Sequence, residues 1–141
     1  MQEISTFRRN LLRATYLLML VGLAIEIWPG VINPPADLAL ARGVVRSLLM
    51  GVSLMAAVGI AYPVRMLPLL LLELTWKTIW VVAFGIPLWV GGRMDADVFE
   101  TMKACLLGVV LFPLVIPWRY VFAQLRPPAS HATPVRAALA A

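Results

Sequence analysis

Long apolar runs separated by short polar breaks dominate the chain. Four runs stand out, at about 11–28, 43–62, 67–90 and 101–122, each about 18 to 24 residues long. At ~1.5 Å rise per residue, a helix of that length crosses a hydrocarbon core of ~30 Å. An isolated strand there would leave its N–H and C=O groups unpaired in lipid, so helix is the conformation that satisfies them. The pattern predicts an all-α integral membrane four-helix bundle over residues 1–126, then a Pro/Ala-rich, disordered tail over 127–141.

The breaks carry their own chemistry. Trp28-Pro29-Gly30 is expected to stop the first helix, and Asn33-Pro34-Pro35 to keep the following stretch irregular. Pro68 suits the first turn of the third helix, where its missing N–H costs nothing. Gly91-Gly92 is expected to end that helix, and Asp95 and Asp97 are capping candidates for the fourth. Pro113 and Pro117 predict a kink in the fourth helix or an early end near Pro117. Ala39-Leu40-Ala41 has the shape of a signal cleavage site. It lies beyond two prolines, though, and Glu26 interrupts the apolar run, so the first helix is expected to be retained.

Composition strengthens the membrane reading. Hydrophobic residues make up 62% of the chain and charged residues 13%, against about 45–50% and about 25% in soluble domains. The net charge of +5 does not gather on one polar face, as nucleic-acid binding would need. Instead the basic residues flank the apolar runs. Arg8, Arg9, Arg13, Arg65, Arg119, Arg126 and Arg136 fall on one side, while Arg42, Arg46, Arg93 and Lys103 fall on the other. That bias predicts both termini in the cytoplasm and a multi-pass protein of the bacterial inner membrane. Tyr62, Trp118 and Tyr120 then mark the inner interface, and Trp28 and Trp89 the outer one.

One cysteine, Cys105, forbids an internal disulfide or a paired-cysteine redox motif, and one histidine, His131, forbids a bis-histidine haem. No metal site, cofactor, catalytic constellation or phosphate-binding loop is expected.

Chemistry concentrates in the third run. LLLLELTWKTIWVVAFG, residues 69–85, places Glu73, Trp76, Lys77, Trp80 and Phe84 on one helical stripe. Counted from Pro68, Trp76 lies ~12 Å deep and Trp80 ~18 Å deep, with Lys77 near the midplane. A lysine there costs ~2.5–3.5 kcal/mol on insertion. Glu73 precedes Lys77 by four residues, the favourable order for an ion pair. Lys77 can also rest on an indole face. Such a stripe is expected to turn towards protein. It fits either a self-neutralised structural pair or a small intramembrane ligand site.

Two secondary features are expected. Glu26 and Arg46 lie at similar depth and form a candidate charge pair. On the second helix, Gly43, Ser47 and Gly51 form one small ridge and Ser53, Ala57 and Ala61 another, with Ala104 and Gly108 on the fourth helix as a matching surface. These ridges suggest packing within the monomer, or against a second copy or another membrane protein. No polar pathway runs through the helices. The leading expectation is therefore a non-enzymatic membrane-embedded structural or interaction component surrounded by the lipid bilayer. The alternative is a small transporter or a lipid- or hydrophobic-ligand-binding protein using Glu73, Trp76, Lys77 and Trp80.

Overall fold

The computed structural model describes residues 3–128, and the apolar runs become helices: α1 (Thr6–Ile32), α2 (Leu40–Ala61), α3 (Leu67–Trp80), α4 (Ile86–Val90), α5 (Ala96–Val115) and α6 (Trp118–Leu125). A π-helical turn, Val81–Gly85, joins α3 to α4, so Leu67–Val90 is one continuous span. Four helices are long and apolar enough to cross a membrane: α1, α2, the composite third span and α5. The chain is a multi-pass α-helical membrane protein. Among the described residues every regular element is helical. Residues 127 and 128 follow α6 without helical structure, and the rest of the expected tail lies outside the described residues.

Each boundary has a local cause. Ser5 caps α1, its hydroxyl accepting from the Arg8 N–H at 3.3 Å. Contrary to expectation, α1 runs straight through Trp28-Pro29-Gly30 and ends at Ile32, where the Asn33 N–H bonds the Pro29 carbonyl. A proline this close to the end removes only one helical bond from the last turn, and Gly30 adds no bulk. The third span ends in a Schellman turn: Arg93 N–H bonds the Leu88 carbonyl, Gly92 N–H bonds Trp89, and Gly92 takes φ 66°. Asp95 caps α5 through a 2.8 Å bond from the Val98 N–H, while Asp97 lies inside the first turn.

The fourth span is shorter than its apolar run. It stops at Val115, and Pro117 separates it from α6. Pro117 has no N–H for the Pro113 carbonyl, and the Trp118 indole Nε1 donates to that carbonyl at 2.8 Å instead.

The helices pair as two hairpins. α1 lies along α2, and the third span lies along α5; α1 and α5, and α2 and α3, meet more sparingly. Tyr16 fixes the first hairpin. It is fully buried, its hydroxyl donates to the Pro63 carbonyl at 3.0 Å, and its ring lies flat on Gly59, where a Cβ would come within 2.6 Å. The ridge that packs is therefore Ser53, Ala56 and Gly59. Only Ser53 of the expected second ridge is buried; Ala57 and Ala61 face outward, as do Ser47 and Gly51, with Gly43 partly covered. Gly108 meets Lys77 on α3 rather than α2, and Ala104 is exposed.

Candidate functional site

The third span turns its acid inward. Leu67, Leu70 and Glu73 lie on the buried side of α3, and Glu73 is only 1% exposed. Both carboxylate oxygens are engaged: Oε1 accepts from the Trp76 indole Nε1 at 2.8 Å, and Oε2 accepts from Lys77 Nζ at 2.7 Å. The Lys77 ammonium also sits 4.0 Å from the centre of the Trp76 ring. One turn of helix thus supplies acid, base, indole donor and π face. A buried charge persists when its counter-charge and hydrogen bonds come with it.

The wall opposite Lys77 is a glycine. A Cβ on Gly108 of α5 would come within 2.5 Å of Lys77 Cδ and 2.8 Å of Cε, so the lysine stem lies directly on the α5 backbone. Cys105 and Phe112 flank Gly108 on the same buried face. The Lys77 side chain as a whole keeps 12% of its surface exposed.

Trp80 and Phe84 depart from the expected stripe. Trp80 is half-buried and packs near Gly85, at 3.0 Å from the place of its Cβ, rather than over the ion pair. Phe84 is 57% exposed. For Phe84 the π-helical turn is the reason. Ile86 N–H bonds Val81, five residues back, so the wide turn rotates everything beyond it and brings Gly85 inward in place of Phe84. Pro87 gives the wide turn its cause, since a proline cannot donate to the carbonyl four residues earlier and its ring crowds that carbonyl.

Glu26 and Arg46 do not pair. Arg46 Nη1 donates to the Gly30 carbonyl at 3.3 Å, and a Cβ on Gly30 would strike the guanidinium at 2.6 Å. Gly30 lies in the last turn of α1, where carbonyls lack helical partners, so Arg46 serves as a cap supplied by the neighbouring helix. Among the described residues the ion pairs are Lys77–Glu73 and the exposed Lys103–Glu100.

Glu26 instead joins the third-span site. A groove of about 260 Å³ runs between α1, α3 and α5. Glu26, Glu73 and Lys77 line it together with Leu18, Met19, Gly22, Leu23, Ala104, Leu107, Gly108, Leu111 and Phe112. Its walls are mostly apolar and its three charged groups come from two helices. The sequence gives no sign of Glu26 in this place, because the pairing of hairpins, not spacing along α1, brings it there. The two threonines of the third span are locally satisfied: Thr75 and Thr78 donate to the carbonyls of Leu71 and Leu74 at 2.7 Å. No group of three or more His, Cys, Asp or Glu side chains with metal-site geometry occurs among the described residues.

Fold and site together define a multi-pass helical membrane protein with a charged groove open on the outer face of its bundle, between α1, α3 and α5. No family model, curated protein or solved structure matches the chain.

Proposed function

We propose that the protein binds a hydrophobic, lipid-like ligand in the groove between its two hairpins, the ligand entering sideways from the bilayer. The observation that carries this reading is the open cavity beside Lys77. Lys77 lies ten residues past Leu67, ~15 Å along the helix and so near the middle of a ~30 Å core. A pair serving only to fix helix rotation is best sealed by neighbouring side chains. Here Lys77 lines an open cavity whose walls are mostly apolar. The arginine-rich end, with Arg8, Arg9, Arg65, Arg119 and Arg126, fits a cytoplasmic position of both termini, in a bacterial inner membrane.

Gly22 provides the test. It lines the groove, and a Cβ there meets nothing within 4 Å. A Gly22→Phe variant fills the groove without straining the backbone. Native mass spectrometry of protein extracted from its membrane is expected to show acyl-chain molecules retained by the wild type and lost from this variant. Equal retention by the two contradicts the reading.

A second reading, a component that packs against another copy or another membrane protein, has one specific support. Ser47 and Gly51 face outward, and a Cβ on Gly51 meets open space. Small residues exposed along a membrane helix admit a close neighbour. On this reading Gly51→Leu lowers the oligomeric state in mild detergent, and an unchanged state rules it out.

A further inference from the structure

The groove is charged, and its charge does not cancel. Glu73 and Lys77 neutralise each other at 2.7 Å, and Glu26 remains as the third charged lining group. Arg46, the cation nearest in expected depth, is held by the Gly30 carbonyl, and Glu26 belongs to neither ion pair among the described residues. Snorkelling to the nearer membrane surface runs against its geometry. Side chains on a helix lean towards the helix N-terminus. On α1 that direction leads from Glu26 back towards Gly22 and the depth of Lys77, away from the helix end at Ile32. Glu26 is exposed on the side of α1, and where that side meets the bilayer a carboxylate is stabilised by a cation that offsets its lost hydration.

We propose that the ligand is a cationic amphiphile: an ammonium group that pairs with Glu26 and a hydrocarbon chain that lies along Leu18, Leu107 and Leu111. Leu18 and Leu107 are exposed in the groove walls and have no other cover. An anionic head group meets repulsion from Glu26 and finds Lys77 already engaged by Glu73 and the Trp76 face. The proposal rests on the groove being the binding site, and its test separates the two ideas.

Dodecylammonium, dodecanol and laurate are titrated into wild-type protein in phosphatidylcholine nanodiscs, with tryptophan fluorescence as the readout. Glu26→Gln and Gly22→Phe variants are titrated in parallel, the second correcting for simple partitioning into lipid. Dodecylammonium is expected to bind at least tenfold more tightly than dodecanol or laurate. Glu26→Gln is expected to erase that preference while leaving dodecanol binding unchanged. Equal binding of dodecylammonium and dodecanol, or a preference that survives Glu26→Gln, overturns the cationic assignment and leaves the groove as a neutral hydrophobic site. Absence of any binding that Gly22→Phe removes overturns both.

Discussion

At Glu73 the two carboxylate oxygens divide their work. One accepts from the Trp76 indole at 2.8 Å and the other from Lys77 at 2.7 Å, so removing either cation or acid strands the remaining charge. Breaking a buried ion pair by deleting one partner costs about 3–5 kcal/mol, whereas removing both charges together is often close to neutral. Glu73→Gln and Lys77→Met are each expected to destabilise the bundle by an amount in that range. The double variant should lose less than either single one, as a double-mutant cycle by thermal or denaturant unfolding in detergent will report. Additive losses contradict the pairing. This much was readable from spacing, because residues four apart on a helix are neighbours. Phe84 was not, since the wide turn before Pro87 breaks the 3.6-residue period on which the stripe was built.

On the level of the helices, close approach is decided by partners that the sequence of one helix does not name. α2 carries several stripes of small residues, and helical period alone ranks them equally. The ring of Tyr16 on α1 selects Gly59, where a Cβ would come within 2.6 Å, and leaves Gly51 in the open. Gly59→Ala is therefore expected to destabilise by about 1–3 kcal/mol through overpacking. Gly51→Ala should be neutral or mildly stabilising, as alanine is the better helix former. Unfolding midpoints of the two variants side by side check this, and equal losses contradict the assigned packing face. The same limit explains Arg46. Depth along two helices suggested Glu26, but a carbonyl in a neighbour's last turn leaves no sequence signature, and the Gly30 carbonyl took the guanidinium.

Across the whole molecule, the number of spans was legible and their grouping was not. Lipid forces helices of a fixed length, so hydropathy alone gave four spans, with the third matching at both ends. Pairing into two hairpins depends on which faces fit, and that pairing opens the groove where Glu26 meets the third-span site. Everything proposed for function requires the bundle to hold Lys77 against Glu73 while the bilayer surrounds both. Magic-angle-spinning NMR of the protein in phosphatidylcholine bilayers measures this directly, through the dipolar coupling between the Lys77 ammonium nitrogen and the Glu73 carboxyl carbon. The account predicts a strong coupling, from a nitrogen 2.7 Å from the nearer carboxylate oxygen, with weak transfer from acyl-chain protons to Glu73. A missing coupling, with Glu73 in strong contact with acyl chains, contradicts it.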